Sequence, residues 1–317
     1  MNLTKETNSL VFYSVVIICP IGIITNLMNI KVSRSEEIQK TSMSFFNIRL
    51  SIFNILFIVF VGFIISFPPS IGEQMVTLNS ELACKLIPYF SRIICQMSSW
   101  LLVIASFDRM FMLMSYKSQN NVRDPQKVKD TTKLSRILVC LFFLFCLINI
   151  PNLLFTLETQ TVVDSITNST TKTLLCTSSK NIVLIRDVIA KTSYGILPFI
   201  LQIIISACLI YRLFKLDSVI HTVPINRERK YTFTIIVFNI IFILADVFGT
   251  ICVILMNIYG YNDTTYISTN SKEAAISSYA YVCSVFLNIL CVCDLLFFIN
   301  LITNKRFRKE AIRIFLY

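Results

Sequence analysis

The sequence predicts an all-α membrane protein: a seven-transmembrane helix bundle closed by a short amphipathic helix at the carboxyl end. Three observations carry that expectation. First, seven long apolar stretches run through the 317 residues, near 10–30, 45–67, 86–113, 135–155, 188–213, 232–256 and 276–301. A helix needs roughly 20 apolar residues to cross a hydrocarbon core about 30 Å thick. Second, 55% of the chain is hydrophobic and only 15% charged, with a mean hydropathy of +0.70. Third, the polar connections alternate in character. The three Asn-x-Ser/Thr triplets, at Asn2, Asn168 and Asn262, fall in one alternating set, and most Lys and Arg fall in the other. Glycan acceptors face the exterior, and Lys/Arg-rich short loops stay in the cytoplasm. Two independent signals thus predict one threading: an extracellular amino end (1–9), a membrane domain (10–302) and a cytoplasmic helix and tail (303–317). No ten-residue alternation suggests a β-barrel. A backbone in lipid must satisfy its own polar groups, so the spans are expected to be helices.

The elements follow in order. A short polar head, Met1–Ser9, leads directly into span 1 with no A-x-A-like site, so no cleavable signal peptide is expected. Span 1 carries Asn26 and span 2 carries Asn54. Span 3 opens near Cys84, carries Arg92, Gln96 and Ser98, and ends in Asp108-Arg109. An Asp-Arg pair is costly to hold near lipid, which points to a function. A long outer segment, Thr156–Lys191, joins spans 4 and 5, and its Thr170–Leu175 reads as one strand of a hairpin. Of eleven cysteines, only Cys84 and Cys176 fall in outer segments. The exterior is oxidising, so a Cys84–Cys176 disulfide is the natural pairing, with two free thiols as the alternative. Arg227, Arg229 and Lys230 precede span 6; Asp246 lies within it, and Asn288 and Asp294 lie in span 7. In the tail, Phe307, Ala311, Ile314 and Phe315 share one helical face, with cations largely around it, as in a membrane-surface helix.

Several classes are disfavoured. The single histidine, His221, makes a His-based metal site unexpected. No Gly-rich phosphate loop or internal repeat occurs, and no cofactor is expected. The net charge of +11 is concentrated in the inner segments. That placement suits anionic membrane lipid and a cytosolic protein partner rather than nucleic acid.

Arg109 follows Cys84 by 25 residues, and Asp108-Arg109-Met110 closes the span. This looks like the rhodopsin-like (class A) G-protein-coupled receptors, which hold a Cys and an Asp/Glu-Arg-Tyr triplet at that spacing. Further matches are Asn26 in Gly22-Ile23-Ile24-Thr25-Asn26-Leu27, the segment Leu50-Ser51-Ile52-Phe53-Asn54, and Ser98 eleven residues before Arg109. Pro198 in Ile196-Leu197-Pro198-Phe199 resembles the family's span 5 proline, and Asn304-Lys305-Arg306-Phe307 resembles the opening of its last helix. The chain resembles a divergent member. Met110 replaces Tyr, Asn54 replaces Asp, and span 4 has no Trp. Asp246 and Phe248 stand at the places of the span 6 Trp and Pro, and Asp294-Leu295-Leu296-Phe297-Phe298 stands for Asn-Pro-x-x-Tyr.

The resemblance implies a plasma-membrane receptor, not an enzyme, that binds an extracellular ligand and activates a heterotrimeric G protein. By that likeness Asp108 holds Arg109 at rest, while Arg227, Arg229 and Lys230 flank the opened cytoplasmic cleft. Arg92, Gln96 and Asp246 line the ligand pocket, where Arg92 pairs with Asp246 or meets an anionic ligand group. Asn26, Asn54, Ser98, Asn288 and Asp294 form a polar core able to hold water or Na⁺. The long outer lid resembles those of peptide receptors, including the invertebrate neuropeptide type. Two rival readings stand behind this one. An ion- or proton-coupled transporter is expected to show broken, Gly-rich spans, against six glycines here. An intramembrane aspartyl protease would use Asp246 and Asp294 as a carboxyl pair, but the chain reads Cys291-Val292-Cys293-Asp294 rather than Gly-x-Gly-Asp.

Overall fold

In the computed structural model, residues 3–39, 42–71, 77, 80–115, 131–163, 170–217, 232–245, 247–248, 251, 280, 282–283, 286–287, 289–290 and 295–316 are described. They are mostly helical. Helix α1 (Leu3–Ser33) is followed by a single turn, α2 (Glu36–Gln39). Helix α3 (Ser42–Phe57) continues through a π-helical stretch, Ile58–Ser66, into α4 (Phe67–Ser70). Next come α5 (Glu81–Ser115) and α6 (Thr131–Ile148), the latter extended by a 3₁₀ turn at Ile150–Leu154. Strands β1 (Thr156–Val163) and β2 (Thr170–Thr177) form an antiparallel hairpin in which Leu157 faces Cys176. Helix α7 (Lys180–Ala190) runs through a second π stretch, Lys191–Ile196, into α8 (Leu197–Asp217). Helix α9 (Thr232–Ala245), α10 (Leu295–Thr303) and α11 (Lys305–Leu316) complete the described chain.

Five of these segments are long and apolar enough to cross a membrane: Asn8–Ser33, Met43–Ser66, Glu81–Met114, Lys133–Leu154 and Asn181–Phe214. They coincide with predicted spans 1–5. Helix α9 is apolar but shorter, and α10 represents only the last part of predicted span 7.

Both π stretches have the same covalent cause. Proline lacks an N–H, and its ring clashes with the carbonyl four residues back. One wide stretch leads directly to Pro68 and the other to Pro198, so the loosened turns absorb the misfit. At the first, the Phe67 N–H reaches the Gly62 carbonyl, five residues back. Gly62 also lets α1 approach closely: a Cβ there would lie 2.7 Å from the Cys19 Sγ.

Much of the described surface is apolar, and amides are buried among apolar side chains in the interior. Phe143, Leu147, Leu184, Phe214, Leu244 and Ile302 are 62–74% exposed, whereas Asn26, Asn29, Asn54, Gln96, Asn239 and Asn300 are buried. Water would penalise that outer surface, and hydrocarbon does not. Helix α5 is the hub. Its apolar window is 67% buried, against 22–39% for the other four long segments. It packs against α3, α6 and α8, and α3 packs against α1.

Two boundaries differ from the sequence reading. The outer segment ends at Ser179 rather than Lys191, because Lys180–Ala190 is already helical; the Val183 N–H closes its first turn on the Ser179 carbonyl at 3.1 Å. The apolar stripe of the tail helix α11 is turned largely into the protein. Phe307 and Ala311 are buried against Val32, Ile38 and Phe297, while Phe315 stays exposed. Asn304 caps it, its Oδ1 accepting from the Arg306 and Phe307 N–H groups at 3.1 and 3.2 Å.

Candidate functional site

Helix α5 runs from the β1–β2 hairpin to the opposite end of the described helices, so its two ends frame the site. At the first end Cys84 is disulfide-bonded to Cys176, with Cα atoms 5.7 Å apart. The bond joins the first turn of α5 to strand β2 and pins the hairpin over that end. The expected pairing of these two cysteines is what the structure contains.

At the other end lie Asp108 and Arg109. The Arg109 Nη2 stands 3.3 Å from the Asp108 Oδ2, and their side chains are only 2% and 6% exposed. Neighbours in sequence on a helix point about 100° apart, so this contact requires the arginine to fold back toward the carboxylate. A buried pair of this kind has shed much of its hydration and is held by mutual attraction. Arg227, Arg229 and Lys230, expected beside this end, lie outside the described residues.

Between the ends runs a chain of amides. The Ser98 Oγ donates to the Asn54 Oδ1 at 3.2 Å, the Asn54 Nδ2 to the Asn26 Oδ1 at 3.4 Å, and the Asn26 Nδ2 to the Gly22 carbonyl at 2.7 Å. Asn26, Asn54 and Ser98 are thus brought together from α1, α3 and α5. Asn288 and Asp294, the other expected members, lie outside the described residues.

A second cluster escaped the sequence reading. The Asn29 Nδ2 donates to the Ser51 Oγ at 2.7 Å, and the Asn300 Nδ2 donates to the Asn29 Oδ1 at 3.3 Å. The signal was present. Asn26 and Asn29 are three residues apart, and Asn47, Ser51 and Asn54 follow at spacings of four and three. Such spacings line up polar groups on one face of an apolar helix.

In the half of α5 nearer the hairpin, Gln96 is fully buried and has protein partners at both ends of its amide. Its Nε2 donates to the Ser193 Oγ at 2.6 Å, and its Oε1 accepts from the Asn149 Nδ2 at 2.5 Å. Trp100, one turn along, donates from Nε1 to the Ser193 carbonyl at 2.9 Å. That carbonyl lies in the π stretch ahead of Pro198, where wider turns leave backbone oxygens open to side chains. Arg92, one turn nearer the disulfide on the same face as Gln96, is half-buried. It makes no hydrogen bond or ion pair with the other described residues. Its expected counterpart Asp246 lies outside the described residues, as do the glycan acceptors Asn2, Asn168 and Asn262. Among the described residues no group of His, Cys, Asp or Glu could hold a metal ion.

The chain matches no protein-family model and shows no significant similarity to any curated protein.

Proposed function

We propose that this chain is a seven-span, plasma-membrane G-protein-coupled receptor of the rhodopsin-like kind, divergent in sequence, that binds an extracellular ligand of peptide class. The observation that carries the reading is the layout of α5. A disulfide-pinned hairpin covers one end, a buried Asp108–Arg109 pair closes the other, and uncharged polar contacts tie the helix to its neighbours in between. A receptor must hold two arrangements of nearly equal free energy, and ligand shifts them only by differential affinity. Internal amide contacts suit that task, because each contributes only about 1 kcal/mol net. Ligand enters beneath the hairpin, where Arg92 offers a guanidinium to an anionic group. On the opposite side the G protein captures Arg109 once the pair with Asp108 loosens, with Arg227, Arg229 and Lys230 flanking the cleft.

The test is expression with a panel of heterotrimeric G proteins in lipid nanodiscs, measuring guanine-nucleotide exchange with and without pooled peptide extracts. Exchange is expected, and Arg109→Ala is expected to abolish it while the protein stays folded. Solute uptake or peptide cleavage in the absence of any exchange would replace this reading with a transporter or a protease.

A further inference from the structure

We propose that Asn239 is the residue that sets how readily α9 leaves the bundle, acting as an uncharged clasp one helical turn from the Asp108–Arg109 pair. The proposal deepens the receptor reading above and rests on it for its link to signalling; the clasp itself rests on geometry alone.

Helix α9 carries no charged residue between Thr232 and Ala245. Apolar packing and neutral hydrogen bonds must therefore fasten it to its neighbours. The packing is supplied by Ile236, Phe238 and Phe242, all buried. The hydrogen bonds converge on Asn239, which is completely buried. Its Nδ2 donates to the Ser106 Oγ on α5 at 2.8 Å and to the Ser206 Oγ on α8 at 3.0 Å. Both amide protons are thus spent, one on each neighbouring helix. The Ser106 hydroxyl passes its own proton to the Leu102 carbonyl at 2.8 Å, which fixes it as an acceptor toward Asn239. Nearer the helix start, Thr234 and Thr303 share a hydrogen bond of 2.7 Å that ties α9 to α10.

The Asn239 Oδ1 is buried and accepts no hydrogen bond from the other described residues. Two donor bonds therefore hold α9 in. An outward shift of α9 exchanges them for bonds to water, which costs only the modest net contribution of two neutral hydrogen bonds. Ser106 precedes Arg109 by three residues, one helical turn. Movement of α9 therefore alters the wall beside the buried ion pair, which links the clasp to the cytoplasmic switch.

The experiment uses the full chain in nanodiscs. Probes at Met114 on α5 and Phe233 on α9, both exposed, are attached through non-natural amino acids, so that the free cysteines stay unlabelled. Their separation is read by pulsed electron-spin spectroscopy, and basal nucleotide exchange is read in parallel. Asn239→Leu keeps the volume and removes the donors. It is expected to raise the long-distance population and basal exchange by about tenfold, the effect of losing two modest hydrogen bonds. Ser106→Ala combined with Ser206→Ala removes the same bonds but leaves the Asn239 amide donors buried and unmatched, so it is expected to shift both readouts further. Adding Asn239→Leu to that pair is expected to return them to the level of Asn239→Leu alone. The serine pair also covers the case in which Asn239→Leu fails to fold. Distances unchanged in both folded variants would overturn the clasp. Shifted distances with no exchange on any G protein would uphold the clasp and sink the receptor reading instead.

Discussion

Gly62 shows how a single missing methyl group positions two helices. The Cys19 Sγ occupies the space that a Cβ at residue 62 would need, at 2.7 Å. Gly62→Ala is therefore expected to destabilise the protein by about 1–3 kcal/mol, as overpacking does elsewhere. Cys19→Ala in the same chain removes the sulfur and is expected to restore most of that loss, since contacting residues do not add. Thermal unfolding in detergent measures both, and equal losses in the single and double variants would refute the contact. The amide chain obeys similar local logic. Asn54→Ala removes the link between Asn26 and Ser98 and leaves buried polar groups unmatched, at a cost of about 1–3 kcal/mol. These three side chains were legible in the sequence through motif resemblance: Asn26 in Gly22–Leu27, Asn54 in Leu50–Asn54, and Ser98 eleven residues before Arg109. Ser193 and Asn149 were not legible as partners of Gln96. Ser193 reaches Gln96 from the widened turn ahead of Pro198, and Asn149 reaches it from the point where α6 gives way to a 3₁₀ turn; neither placement follows from residue spacing.

Helix ends and joints carry the next level of control. Asn304 both terminates α10 and caps α11, accepting from two N–H groups that would otherwise lack a partner. Asn304→Ala is expected to weaken α11 by about 1 kcal/mol and to speed amide exchange at Arg306 and Phe307, leaving α5 unaffected. Equal exchange across both helices would mean that the whole fold had loosened and the cap had no local role. The β1–β2 hairpin depends on a covalent joint instead. The Cys84–Cys176 bond closes a separation of 92 residues. Replacing Cys84 by Ala is expected to cost about 2–5 kcal/mol and to expose β1 and β2 to protease before any helix is cut. The sequence announced the five long helices, because uninterrupted Ile, Leu, Val and Phe runs leave the backbone few alternatives. It announced β2 as well, through Thr-rich residues ahead of Cys176. The early start of α7 was hidden: Lys180, Asn181, Arg186 and Asp187 make that stretch resemble a loop by polarity, while its apolar residues recur at helical spacing.

Among the described residues, amides are buried in an otherwise apolar interior and many Leu, Ile and Phe side chains lie outside. That exterior suits lipid around the long helices but leaves the direction of threading to charge and glycan signals. The direction matters, because it decides which end of α5 meets ligand and which meets the cytoplasm. The hairpin carries Asn168 in the connection between its strands, and Cys176 pins that hairpin to the start of α5. If the hairpin is external, the Asp108–Arg109 end must be internal, because α5 spans the apolar layer between them. Glycan mapping tests this with one chain. Asn168→Gln is expected to remove one glycan from protein made in a eukaryotic cell, whereas a new Asn-x-Thr acceptor engineered within residues 117–130 is expected to stay unmodified. A glycan on that engineered acceptor would place the Asp108–Arg109 pair outside the cell. The two serine-clasped helices beside the pair would then face the wrong compartment for any G protein, and the function proposed above would fail together with the threading.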